Sequence, residues 1–360
     1  MRGQAAIVVA LFHGLGPFEL GHVLRSAHLA VDFFFALSGI VIAHAYEHKL
    51  QRGMTLRTFL LRRLIRLYPL LLLGLSMGLV VMLIRVHVQL DPSYLPAVFK
   101  SFVAGLWLLP SPYLTEIEHG LAWPLNIPMW SLFAELLMNV VYAAFLAKRS
   151  SRTLLCVLLG ALALTTWGAY QYRGFDAGNH WQDVSFGLVR VLYPFVIGVL
   201  LYRWHSHQSV RTQGTAAAWL AQALLVSCLV LPVPSAWAAV FQYVAVVGIF
   251  PCAIWLGALQ KGTAYPRRLD FGQLSYAIYV LHYPVVKVCS FLGRKLHVHG
   301  TSAVFVVGLE VCVAIAVAYV ADRFYDQPLQ RLLKARLQAR SARVQAAAAD
   351  IKPSIGSLGG

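Results

Sequence analysis

Apolar runs long enough, or nearly long enough, to cross a hydrocarbon core recur at about residues 3–20, 29–46, 64–88, 127–147, 153–170, 185–202, 215–232, 237–259, 271–291 and 302–321. They predict an all-α polytopic membrane bundle of about ten helices. An eleventh apolar patch, Leu95 to Leu109, is short, and Pro92, Pro96, Pro110 and Pro112 bracket or interrupt it. Proline breaks a helix interior, so this patch is expected to be re-entrant or interfacial, between helices 3 and 4, rather than a span. Counting it as a span would invert everything downstream. The transmembrane domain is therefore drawn over residues 1–328. Residues 329–360 form a cytoplasmic tail that starts as a basic amphipathic helix and decays into Ala, Gly and Ser.

Composition agrees: 59% of the 360 residues are hydrophobic, only 12% are charged, and the mean hydropathy is +0.66. A soluble domain carries about a quarter charged residues. The formal charge of +16 would suggest nucleic acid in a soluble chain, but here it is a matter of topology. With ten spans, 22 of the 30 Lys and Arg fall on one side. They are Arg2; Lys49, Arg52, Arg57, Arg62, Arg63 and Arg66; Lys148, Arg149 and Arg152; Arg203 and Arg211; Lys261, Arg267 and Arg268; and seven from Arg323 to Lys352. The positive-inside rule makes that side cytoplasmic and puts both termini there. Membrane lipids are expected partners and nucleic acid is not. Cys156, Cys228, Cys252, Cys289 and Cys312 lie scattered through apolar segments without metal-ligand spacing, so they read as small packing residues, with no metal site expected. The first run lacks a signal-peptide cleavage pattern and is expected to be retained.

Polar residues inside these runs carry the chemistry. Arg2 and His13 are eleven residues apart, which on a helix returns to nearly the same face roughly 16 Å along. In the second run, HLAVDFFFALSGIVIAHAYEHKL, Asp32 enters near the outer edge with His28 one turn earlier as a possible partner, and Ser38-Gly39 forms a notch for close helix contact. A structural role for Asp32 stands slightly ahead of a catalytic one. The stretch RTFLLRRLIRLYPL supplies Arg57, Arg62, Arg63 and Arg66, with Arg62 and Arg66 spaced to point the same way. Arg66 lies within the apolar run, where planar bidentate cations suit the phosphates of a cytoplasmic cofactor or an anionic headgroup. In the fourth helix Ser131, Glu135, Asn139 and Tyr142 make a polar stripe, with Glu135 roughly 12 Å deep. The ninth carries Ser275, Tyr276, Tyr279, His282 and Lys287, with His282 roughly 16 Å deep. His13, Glu135 and His282 thus fall at one level, which suggests one cavity.

Four separated motifs, running from Arg2 to about Pro328, together resemble acyltransferase family 3, the bacterial integral-membrane O-acyltransferases of polysaccharides and other glycans. They are the arginine eleven residues before His13, FFFALSG after Asp32, RRLIRLYP, and WSLFAE with SYAIYVLHYP. The resemblance implies a multi-pass protein of the bacterial inner membrane. It makes His13 catalytic, associates Arg62, Arg63 and Arg66 with the acyl-CoA, and gives Glu135 a part in activity. Met1 abuts Arg2, whereas family members usually have a few more residues first. Arg2, Asp32, Ser131, Tyr276 and His282 are further candidates for the site lining.

The reaction so implied moves an acyl group, acetyl as the first expectation, from cytoplasmic acyl-CoA to a hydroxyl of a glycan or lipid-linked sugar. No permanently bound cofactor is expected; acyl-CoA, acetyl-CoA first, is the donor substrate. A histidine titrating near neutrality suits a general base at His13, with Glu135 orienting it or stabilising its imidazolium. An acyl-histidine intermediate fits equally well. The rival class is a transporter using intramembrane His, Glu and Arg as an ion or substrate pathway, against which stand the missing repeats and missing discontinuous helices.

Overall fold

The computed structural model describes residues 1–206, 215–258, 271–298 and 300–351. Fourteen α-helices follow in order: α1 (Arg2–Leu15), α2 (Ala30–Gln51), α3 (Leu56–Gln89), α4 (Leu95–Leu106), α5 (Met129–Val141), α6 (Ser151–Gln171), α7 (Val184–Arg190), α8 (Leu192–Ser206), α9 (Thr215–Val230), α10 (Ser235–Val244), α11 (Phe250–Ala258), α12 (Phe271–Lys295), α13 (Thr301–Ala321) and α14 (Gln327–Ile351). Single π-helical turns extend α5 over Tyr142–Leu146, join α10 to α11 over Ala245–Ile249, and join α13 to α14 over Asp322–Asp326. No strand occurs among the described residues. The all-α polytopic bundle expected from the apolar runs is what forms.

Eight helical stretches among the described residues are long and apolar enough to cross a membrane, against about ten expected. The other two runs form α1, of 14 residues, and α9, of 16. Pro17 and the left-handed backbone of Glu19 stop α1, and Pro232 follows the end of α9. A helix shorter than the hydrocarbon core needs protein around it, and α1 has it. Its Ala5, Ala6, Val8, Val9 and Ala10 are buried, and it packs against α12, α13 and α9. α1 is thus an internal helix of the bundle, which places His13, near its end, inside the protein.

The Ser38-Gly39 notch has the close contact predicted for it. A Cβ on Gly39 would collide with the backbone carbonyl of Phe195 in α8, and one on Gly198 of α8 with that of Ala36 in α2. The two glycines let the helices cross backbone to backbone. The Leu95–Leu109 patch forms the 12-residue α4, too short to span, which packs on α3 and is tied there by Tyr68, whose hydroxyl donates to the Leu106 carbonyl at 2.8 Å.

Other expectations change. Cys228 is buried, but Cys156, Cys252 and Cys312 are exposed on helix faces and so are not interior packing residues; all five cysteines are unpaired. Helix continues from α13 through the π turn and α14. Of the cations used for topology, Arg211, Lys261, Arg267, Arg268 and Lys352 lie outside the described residues, as does the Ala/Gly/Ser end of the tail from 352.

Candidate functional site

The polar stripe of α5 faces the bundle interior, and Ser131, Glu135 and Tyr142 each bond to another helix. Ser131 accepts from, or donates to, the Tyr279 hydroxyl of α12 at 2.7 Å, and Glu135 meets α2 and α3. One oxygen of Glu135, Oε1, takes the Ser38 hydroxyl at 2.6 Å and Nη2 of Arg63 at 2.8 Å. At the end of the stripe the Tyr142 hydroxyl donates to Glu47 at 2.7 Å, and Glu47 also receives Nε of Arg203 at 2.9 Å.

Glu135 and Arg63 border a cavity of about 130 Å³ near the start of α1, together with Arg2, Arg66, Tyr276 and Tyr279. The three cations face one acid there. Arg66 pairs with Asp326 at 3.3 Å and lies over the Tyr276 ring, 5.6 Å from its centroid. Tyr276 in turn donates to the Leu67 carbonyl at 2.6 Å. The inward set at the head of α3 is Arg63 and Arg66, one helical turn apart. Arg62, expected to point with Arg66, is exposed and outside this cavity.

His13 lies elsewhere. It borders a second cavity, of about 820 Å³, with Arg85, Glu118, Tyr283 and Lys287. Its ring centroid is 5.3 Å from that of His282 and 5.6 Å from that of Tyr283. His282 is fully buried; its Nδ1 donates to the Tyr279 carbonyl at 2.8 Å and the Ile278 carbonyl at 3.2 Å, and Nε2 is unpartnered. Since carbonyls only accept, Nδ1 carries a hydrogen and Nε2 is left at the buried side. A smaller cavity of about 50 Å³ lies between, touched by His13 on one side and Tyr279 on the other. The three residues expected in one cavity are therefore divided. Glu135 borders the first and His13 the second, His282 is buried beside His13, and Tyr279 and Val31 are common to the first and the connecting one.

Asp32 does not pair with His28. It receives Nε and Nη2 of Arg190, at 3.2 and 2.6 Å, and both side chains are almost wholly buried. The Arg190 guanidinium also donates to the Ala177 carbonyl and lies over Trp130, 5.1 Å from the ring centroid. His28 is carried on a short 3-10 turn, Ala27–Leu29, just before α2. Among the described residues no group of three or more His, Cys, Asp or Glu is placed to hold a metal ion.

The model of the acyltransferase domain family, acyltransferase family 3, matches residues 1–322. The chain belongs to acyltransferase family 3. Among curated proteins it is similar to "Protein 2 in picA locus" of Rhizobium radiobacter, 38% identical over 177 residues, which is 46% of this chain and 89% of that one. It is also similar to the peptidoglycan O-acetyltransferase OatA of Listeria monocytogenes, 21% identical over 92% of this chain. The chain spans 55% of that protein's length. No solved structure matches significantly. This family 3 member is a multi-pass membrane acyltransferase.

Several residues of its two cavities were not picked out by sequence reasoning. Ser38 was read as a packing notch, yet it holds Glu135. Lys287 is visible on the ninth run, but its partner Glu118, from the α4–α5 connection, and Arg85 of α3 meet it only in the fold, where Glu118 is buried between both cations. Arg190 was one of the few cations assigned to no cluster, and a cation left over by the topology count was the available signal.

Proposed function

We propose that this protein is an O-acyltransferase of the bacterial inner membrane, with both termini cytoplasmic, that uses acyl-CoA, acetyl-CoA first, to acylate a hydroxyl of an extracytoplasmic or lipid-linked glycan. The observation that carries the reading is the order of the cavities: arginines at one end, Tyr279 between, and His13 at the other end. Arg63 and Arg66 would hold CoA phosphates at the cytoplasmic mouth, with Arg2 nearby and Ser131 and Tyr276 in the wall. The orientation rests on the Lys and Arg distribution, and the tail from residue 329 follows on the cytoplasmic side. The family match favours chemistry over the transporter reading.

A thioester is already activated, so the demanding step is removing the hydroxyl proton as the oxygen attacks. His13 accepts that proton, the new ester C–O bond forms as the thioester C–S bond breaks, and the proton ends on the CoA thiol. His282 positions His13 in place of Glu135, whose partners are Ser38 and Arg63. A two-step variant passes the acyl group through a His13 imidazole nitrogen, which is transiently acylated and then attacked by the hydroxyl. Purified protein given isotopically labelled acetyl-CoA and a glycan acceptor tests the whole reading. Label in an ester of the glycan is expected, and thioester turnover no faster than in boiled protein overturns it. Omitting acceptor separates the two routes: label retained on His13 selects the two-step one.

A further inference from the structure

Charge and apolar surface around the His13 cavity are arranged in a way that acyl transfer alone does not require. Glu118 is 2% exposed and takes two cations: Nη1 of Arg85 on Oε1 and, at 2.9 Å, Nζ of Lys287 on Oε2. Among the described residues lining that cavity it is the one acid. One formal positive charge is therefore left without a counter-ion in a low-dielectric wall, where an unpaired charge is costly. Both cations also keep donors to spare: a lysine ammonium has three N–H groups and a guanidinium five, and their side chains are 33% and 31% exposed. This half-satisfied pair is close to the proposed base, because Lys287 lies over the Tyr283 ring at 5.3 Å and Tyr283 packs edge-on against His13.

A second cavity of about 420 Å³ runs beside it between α3, α12 and α13, and Val81 and Val288 belong to both walls. Ser76 apart, its lining is apolar, Met77, Val80, Pro284, Val285 and Val313 among it. Val80, Val288 and Val313 are 55%, 43% and 39% exposed on the side of the bundle. In a membrane that side meets hydrocarbon. An anion-seeking pair, an adjoining apolar groove open to lipid and a base in the same cavity as the pair match one kind of ligand: a hydrocarbon chain joined through phosphate to a sugar.

We propose that the acceptor is a lipid-linked sugar phosphate, with its chain in the α3–α12–α13 groove, its phosphate on Arg85 and Lys287, and its hydroxyl toward His13. This deepens the acyltransferase reading and rests on it. The acceptor would then be acylated while still on its lipid carrier, before polymerisation or release, so the reaction follows the glycosyl transfer that builds the lipid-linked sugar.

Binding is measured by native mass spectrometry of the full chain in detergent, with a polyprenyl phosphate, the polyprenol of equal length and phosphatidylglycerol as probes. The phosphate is expected to bind at least tenfold tighter than the alcohol and to resist a tenfold excess of phosphatidylglycerol. Removing the cations alone would strand Glu118, so the charge-balanced R85Q/E118Q/K287Q variant is used, and it is expected to lose that tenfold preference. V81W/V288W, which fills the groove, is expected to weaken phosphate and alcohol alike. Equal binding of phosphate and alcohol, displacement by phosphatidylglycerol one for one, or an unchanged preference in the triple variant overturns the proposal. Labelled CoA exchange into acyl-CoA by wild-type protein without acceptor is followed in parallel. Tenfold phosphate preference with no acyl-CoA turnover by any assay would sink the catalytic reading while leaving the lipid-phosphate site in place.

Discussion

The imidazole of His13, on the wall of the larger cavity, lies with its ring centroid 5.3 Å from that of the buried His282, the planes tilted by 33°. The hydrogen on His282 Nδ1 is committed to backbone carbonyls, so its unpartnered Nε2 is the acceptor beside His13. Which nitrogen of a histidine serves as base is set by the bond the other makes.

The two histidines should therefore separate by magnitude. His13→Ala is expected to lower kcat by about 10²- to 10⁴-fold, the range of a lost general base. His282→Gln should cost about 10- to 100-fold, with KM for acyl-CoA nearly unchanged, because it disturbs His13 and not the donor site. Steady-state kinetics on purified protein decides. A His282 variant that shifts KM and leaves kcat alone would contradict the positioning role.

Arg63 and Glu135 invite a paired test. Their side chains are only 10% and 17% exposed, so removing either partner leaves the other charge buried, at a cost of about 3–5 kcal/mol. Arg63→Met with Glu135→Leu removes both, and such replacements are often neutral in stability. The double variant is expected to melt within a few degrees of wild type, whereas either single variant melts well below it. Stability restored without activity marks the pair as functional; activity restored as well would make it a structural strut. Thermal unfolding and acyl-CoA turnover, read on the same preparations, give the answer.

Asp32 should behave in the opposite way. Its carboxylate takes two bonds from Arg190, and both side chains are at or below 2% exposed. Asp32→Asn is expected to cost about 3–5 kcal/mol of stability, while kcat per folded molecule stays within a few-fold. A variant as stable as wild type but inactive would move Asp32 into the reaction.

What could be read along the chain, and what could not, divides by sequence distance. Helical periodicity made the Ser131–Glu135–Asn139 stripe visible, because residues four apart share a face in any helix. Ser38-Gly39 signalled a close crossing, and Gly198 supplied the other half. Partners brought in from remote helices left no such trace. His28 is four residues from Asp32, and local spacing favours it; Arg190 is 158 residues away, and only the packing of α7 beside α2 delivers it. Depth estimates likewise placed His13 and Glu135 at one level without saying that Tyr279 stands between their cavities. Run length misled at α1: residues 3–20 read as a span, but the helix ends at Leu15 and packs against α9, α12 and α13.

Tyr279 gives the sharpest consequence of that separation. Its hydroxyl is tied to Ser131 at 2.7 Å, its ring packs on Phe34 with centroids 5.6 Å apart, and it borders the arginine-lined cavity and the small one touching His13. Tyr279→Phe removes one hydrogen bond, worth about 0.5–1.5 kcal/mol, and keeps the ring, so turnover should fall by less than about tenfold. Tyr279→Ala removes the partition. Water and donor then share one continuous space, and an activated thioester exposed to water beside a base hydrolyses. The expected result is faster release of CoA without acceptor and slower transfer to acceptor, measured as the ratio of free acid to ester product. An unchanged ratio in Tyr279→Ala would mean that the acyl group reaches His13 by another route, and that the cavities are ordered for some purpose other than transfer.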